Sequence, residues 1–184
     1  MYNTYMFTTK PTAIPDVLEL IPTTFPDERG YFFESYNQQE FERCGISVAF
    51  VQDNVSNSKK GVLRGLHFQT AEFAQDKLVS VATGKVFDVV VDIRKESPTY
   101  GKWVGVPLDE ASHNMLFIPK GCAHGFYVLS EDAKFYYKCS NFYNKQASSG
   151  IRFDDPTLAI QWPLEGDPIV SEQDKNLPLF DVSV

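Results

Sequence analysis

Three histidines, His67, His113 and His124, supply the side chains whose unperturbed titration lies closest to neutral pH. A metal-binding β-protein usually offers two or three histidines with a carboxylate, and neither His-x-His nor His-Glu-x-x-His occurs here. Cys122 and His124 form the only Cys/His pair at two-residue spacing, too little for a zinc set. No metal is therefore expected. A lone neutral histidine in a pocket suits general-base work, and an orienting carboxylate is its usual partner. His67 lies in FVQDNVSNSKKGVLRGLHFQ (50–69), where Gln, Asn, Arg and His are embedded among Val, Leu and Phe. Polar groups at core-like positions are costly unless satisfied or used, so this stretch is the leading site candidate. A buried phenol can donate a proton, and alternation in AKFYYKC makes Tyr137 the inward tyrosine, on one face with Phe135 and Cys139, with Tyr136 on the other. From periodicity alone, a core tyrosine with a satisfied hydroxyl is as good a reading.

The elements that must hold these groups read as short strands. Candidates are 17–21, 31–36, 49–56, 62–68, 78–81, 86–93, 103–108, 114–118, 125–129 and 133–139, separated by Gly, Pro, Asp and Ser clusters. Such spacing predicts an all-β sandwich or barrel. The clearest strand is KVFDVVVDIR, with Phe87, Val89, Val91 and Ile93 on one face as core and Asp88 and Asp92 on the other. A short helix is predicted over 38–44, with Asn37 as cap, Glu40 completing a capping box and Gly45 in the left-handed position after it. Beyond residue 150 the chain is rich in Pro and Asp, which predicts extended segments with a helical turn or two, closing one end of the barrel. Strand alternation sets Arg64 and His67 on opposite faces, so if both line one pocket, Gly65 must mark a bulge or bend.

At 184 residues, with no repeat, low-complexity tract or linker, the chain is expected to be a single domain, 1–184. A net charge of −7 argues against nucleic acid and anionic membrane as partners, so an anionic ligand must be held by local groups. No run of about 18 apolar residues and no secretory leader pattern is present, and a cytoplasmic protein is expected. Cys44, Cys122 and Cys139 are odd in number and widely spaced, and read as reduced thiols.

Five segments in order, FPDERGYFFESYN, FVQDNVSNSKKGVLRGLHFQ, QDKLVSVATGKVFDVVVDIRKESPTYGKWVGV, IPKGCAHGFYVLS and KFYYKCSNFY, resemble the dTDP-4-dehydrorhamnose 3,5-epimerase family, from about residue 14 to 174. The resemblance implies a cupin-like double-stranded β-helix jelly roll with a few short helices, working as a homodimer without a cofactor. It implies inversion of C3 and C5 of dTDP-4-dehydro-6-deoxy-D-glucose through an enolate. Carried over residue by residue, His67 is the base, Asp174 its dyad partner, Tyr137 the acid on the opposite face and Lys77 the cation near the C4 oxygen. Arg64 is assigned to the diphosphate, Gln52 and Asn54 to the base or sugar, Tyr143 to stacking on thymine, and Arg29 and Glu34 to the neighbouring subunit's site. His124, after PKGCA, is a substrate contact, and His113 is given no role.

Ser171 three residues before Asp174 is also a helix-start pattern, which would account for that aspartate without a dyad. Gln173 and Ser148 depart from the lysine and the acidic residue that the family often carries there, which bears on the nucleotide contacts rather than on the chemistry. Three other readings compete: an epimerase of the same family acting at C3 alone or on another 4-keto sugar nucleotide, a non-catalytic sugar-nucleotide binding module, and a metal cupin.

Overall fold

The computed structural model describes residues 5–181. Its strands, numbered β1 to β13 along the chain, pair antiparallel in two large sheets and one hairpin. The six-stranded sheet runs in the order β1 (Phe7–Pro11), β2 (Leu18–Pro22), β10 (Met115–Ile118), β7 (Lys77–Thr83), β12 (Asp132–Cys139), β5 (Gln52–Lys59). The five-stranded sheet is β13 (Ser148–Gly150), β6 (Leu63–Gln69), β11 (Cys122–Val128), β8 (Lys85–Asp92), β9 (Trp103–Asp109). From β5 to β13 the chain passes from one sheet to the other at every step except the β8–β9 hairpin, the winding of a jelly roll.

Inward side chains of both sheets make the central core, with Val79 and Val81 on β7, Val86 and Val90 on β8, Leu116 and Ile118 on β10, Phe126 on β11 and Phe135 on β12. Two further clusters cover outer faces. One joins Phe7, Leu20, Leu78 and Phe117 to Phe41 of helix α1 (Gln38–Arg43). The other sets Leu66, Val89, Val91 and Ala123 against Ile151, Leu158, Trp162 and Phe180, so the Pro- and Asp-rich tail lies along the outside of the five-stranded sheet.

That covering reverses the simple reading of β8. Asp88 and Asp92 are fully buried and share the inward face with Val86 and Val90, while Val89 and Val91 point to the outer face beneath the tail. Alternation was right about the two faces; neither faces solvent. Asp92 is satisfied by Arg94, Ser97 and Thr99, which tie down the turn after the strand. Burial pushes its carboxyl up, but these hydrogen bonds outweigh burial and hold it well below the usual range.

Asn37 caps α1 by accepting from the Gln39 and Glu40 amides, and Gly45 follows with φ +83°. Glu40 pairs with Arg43, so only half of the predicted capping box forms. The strand expected over 31–36 ends at Phe32, where β4 (Gly30–Phe32) closes a hairpin with β3 (Phe25–Asp27). Phe33 instead stacks on His113, ring centres 4.4 Å apart. Every residue of β3 and β4 is exposed, Tyr31 and Phe32 at 62% and 64%.

Candidate active site

A cavity of about 810 Å³, within the range of small-ligand sites, opens among β5, β6, β7, β11 and β12 and is bordered by the turn after residue 169. Register explains which side chains enter it. Tyr137 pairs with Asn54 and Cys139 with Gln52, so one face of β12 and β5 lines the cavity. Tyr136 points the other way, its hydroxyl donating to Asp53 at 2.6 Å. Arg64 and His67 both line the cavity although alternation separates them. Arg64 is opposite Phe126 and His67 opposite His124, so Gly65 and Leu66 together face the single residue Gly125. This is the parity-resetting bulge that the sequence required.

Gly65 has φ +123° and its peptide bond to Leu66 is cis. A Cβ there would lie 2.5 Å from Gly125 Cα and 2.9 Å from the His124 carbonyl oxygen, so only glycine fits. Its amide donates to Asp174 Oδ2 at 3.1 Å, and Asp174 Oδ1 bonds His67 Nε2 at 2.8 Å. Asp174 sits in helix α2 (Glu172–Lys175), where Ser171 Oγ accepts its backbone amide at 3.1 Å. The two accounts of this residue are compatible, since the cap sets the backbone that aims the carboxylate. Burial would raise the Asp174 carboxyl, but the bonds from His67, Gly65 and Ser171 outweigh it and leave it lowered. An ionised Asp174 holds His67 with Nε2–H toward it and leaves Nδ1 as the ring nitrogen with a free lone pair. The side chain of His67 is 41% exposed, open to the cavity.

Tyr137 also lines the cavity. Burial and neighbouring Cys139 hold its phenol above its ordinary value, against a pull from Arg64, so it is a protonated donor at neutral pH. The half-buried Lys77 lines the cavity and bonds the His67 carbonyl oxygen at 3.4 Å; burial outweighs the support of Cys139 and Asp88 and holds its amine below the ordinary lysine value. Arg64 is steadied by Ser58 at 3.0 Å, Gln52 by Asn54 at 3.0 Å, and the Tyr143 amide by Gln52 at 3.0 Å, leaving the Tyr143 ring exposed at the rim. Arg29 and Glu34 are not among the lining residues of this cavity; they bond Asp27 and Asn37. Among the described residues no three His, Cys, Asp or Glu side chains converge as a metal-ion set.

A sequence profile of dTDP-4-dehydrorhamnose 3,5-epimerase matches residues 11–181. The chain belongs to the dTDP-4-dehydrorhamnose 3,5-epimerase family. It is 57% identical over 171 residues to the Salmonella typhimurium enzyme of that name, covering 92% of this chain and 93% of that one. Among solved structures it resembles dTDP-6-deoxy-D-glucose-3,5-epimerase of Legionella pneumophila in complex with dTDP-4-keto-L-rhamnose, at 48% identity and TM-score 0.91, covering 94% and 92% of the two chains. It also resembles the Bacillus anthracis epimerase with TDP and pyrophosphate bound, at 43% identity and TM-score 0.92, covering 95% and 99%.

Within this epimerase fold, Gln173 and Ser148 border the cavity, so both departures from the family pattern fall beside the candidate site. Gln69 and Gln75 are lining residues that sequence reading passed over; they accept from the Asn144 amide and donate to the Asn141 carbonyl, bracing the segment that carries Tyr143. His124 reaches the cavity wall with its Nε2 bonded to Asp88 at 2.8 Å, a partner that alternation had put on the polar face of β8. An acid in an otherwise apolar strand was the signal. No described helix is long and apolar enough to cross a membrane.

Proposed function

We propose that this chain inverts both C3 and C5 of dTDP-4-dehydro-6-deoxy-D-glucose, giving dTDP-4-dehydro-L-rhamnose by proton transfer. The observation that carries the reading is the convergence of the Asp174-bonded His67 and the protonated Tyr137 phenol on one cavity. The C4 ketone of the substrate acidifies the hydrogens on both flanking carbons, so a base removes one without any redox partner. His67 Nδ1 takes that proton, and electron density moves onto O4 as an enolate. The Lys77 ammonium stabilises that charge, an effect worth several kcal/mol in a water-poor site. Tyr137 then protonates the carbon from the opposite face, and solvent returns His67 and Tyr137 to their neutral forms. The cycle repeats at the second carbon. No cofactor takes part.

The remaining groups serve the nucleotide. Arg64 offers forked donors to the diphosphate, Gln52 and Asn54 contact the base or sugar, the exposed Tyr143 ring stacks on thymine, and His124 touches the sugar. Arg29 and Glu34 complete the site of a neighbouring copy in a homodimer, a reading supported by the exposed β3–β4 hairpin, none of whose residues lines its own cavity. The whole chain, 1–184, acts as one domain in the cytoplasm.

Incubation with the 4-keto sugar nucleotide in D₂O tests this directly. Deuterium is expected at both C3 and C5, with product of inverted configuration at each. Label at C3 alone would identify a mono-epimerase, and label at neither carbon a binding module.

A further inference from the structure

His113 is the histidine to which the proposed chemistry gives no task, and its ring stands where the β3–β4 hairpin meets the barrel. The ring centre lies 4.4 Å from that of Phe33, 18° from parallel, and 4.6 Å from that of Tyr31, at 40°. Tyr31 belongs to β4, two residues after Arg29, and Phe33 directly precedes Glu34. His113 therefore touches the chain beside each of the two residues assigned to the neighbouring site.

The hairpin needs such a hold. β3 and β4 pair with each other and with no other strand, and two strands alone are marginally stable in water. Every residue of both is exposed, so burial does little to fix where the hairpin points. Among the described residues, the ring contacts that tie Tyr31 and Phe33 to the barrel both end on His113. Phe33 and His113 also border a second cavity, of about 320 Å³, with Leu78, Ser80, Tyr136 and Lys138, so open space rather than packed core lies beside the stack.

His113 itself has a firm base. It sits in the loop between β9 and β10 with φ +53°, a left-handed conformation uncommon for residues with a side chain, which persists where the surroundings over-determine it. Its amide donates to the Asp109 carbonyl at 3.1 Å. The adjacent Asn114, buried, donates to Glu19 at 2.8 Å and the Pro107 carbonyl at 2.9 Å, and accepts from the Asp109 amide at 3.1 Å and the Ser112 hydroxyl at 2.7 Å. We propose that His113 is a positioning residue, clamping the β3–β4 hairpin through Tyr31 and Phe33 and so aiming Arg29 and Glu34 into the neighbouring subunit's site. This rests on the shared-site reading of Arg29 and Glu34 given above. Because the clamp aims groups that bind substrate and takes no part in proton transfer, its loss weakens KM rather than kcat.

The test pairs His113→Asn, which keeps a residue tolerant of the left-handed backbone but removes the ring, with His67→Asn in purified heterodimers. In the His113→Asn homodimer, KM for the 4-keto sugar nucleotide is expected to rise about three- to tenfold, the equivalent of one aromatic stack, with kcat changed less than about twofold. In the heterodimer the working cavity belongs to the His113→Asn chain and receives its hairpin from the His67→Asn chain, whose clamp is intact. KM should there return to within about twofold of the unaltered enzyme. An unchanged KM in the homodimer overturns the clamp, and so does a KM that stays raised in the heterodimer, since His113 would then act on its own cavity. Arg29→Ala taken through the same pairing separates the clamp from the reading beneath it. Rescue of Arg29→Ala with no effect of His113→Asn overturns the clamp alone, whereas Arg29→Ala that pairing does not rescue overturns the shared site and the clamp with it. Should His113→Asn not fold, Phe33→Leu breaks the same stack from the hairpin side and must give the same two results.

Discussion

His67 was legible from the start as the one histidine inside a polar stretch of strand-like sequence, and simple counting of histidines argued against a metal set. What could not be read from periodicity is Asp174, 107 residues away and brought to 2.8 Å by a capped turn. Asp174→Asn should lower kcat by about 10²-fold or more, because the ring loses its tautomer control and the imidazolium its counter-charge. It should also cost about 1–3 kcal/mol of stability at neutral pH through lost charge-assisted hydrogen bonds. The sign of the pH dependence follows from the lowered carboxyl. A group depressed by folding contributes fully above its unfolded value, about 3.9 for Asp, and the contribution fades as pH falls through the folded value. The melting-temperature gap between Asp174→Asn and the unaltered protein is therefore expected at pH 7 and should narrow below about pH 4. A gap that stays constant would mean that the carboxylate's charge is not what folding uses.

Among the elements, β6 shows why local pattern and site geometry disagree. Alternation over Arg64 to His67 separates two residues that the cavity brings together, and that discrepancy points to Gly65. A strand pattern broken at a glycine is thus readable when chemistry demands both side chains on one face. The role of β8 was not, because a tail remote in sequence covers its outer face and turns both sides into core. The end of the strand at Phe32 was equally hidden, since Phe33 turns away to meet His113, 80 residues on. Gly65→Ala places a Cβ against the backbone of Gly125 and His124 in a conformation L-residues avoid. It should destabilise the fold by about 2–4 kcal/mol. It should also lower kcat by more than tenfold, because the same amide bonds Asp174. Denaturant melts and kinetics check both, and an active, stable Gly65→Ala protein would contradict the bulge as the device that aligns Arg64 with His67.

On the scale of the whole molecule, the exposed hairpin and its Arg29 do not line their own cavity, and the proposed homodimer gives them a role. If each site draws Arg29 from its neighbour, mixing His67→Asn with Arg29→Ala subunits creates heterodimers with one intact site. Equal mixing after subunit exchange should restore about a quarter of full activity from two parents that are each nearly inactive, as random pairing requires. Activity no higher than the average of the parents would contradict shared sites. The central claim, however, is proton transfer across two faces of one sugar, and site-resolved deuterium NMR of three proteins tests it most directly. The unaltered enzyme should label C3 and C5 with inversion, and His67→Asn should abolish exchange at both carbons while nucleotide binding persists. Tyr137→Phe should still exchange protons, since the base returns them to the face it took them from, but with configuration retained. Exchange persisting in His67→Asn, or inversion persisting at the full rate in Tyr137→Phe, would contradict the account.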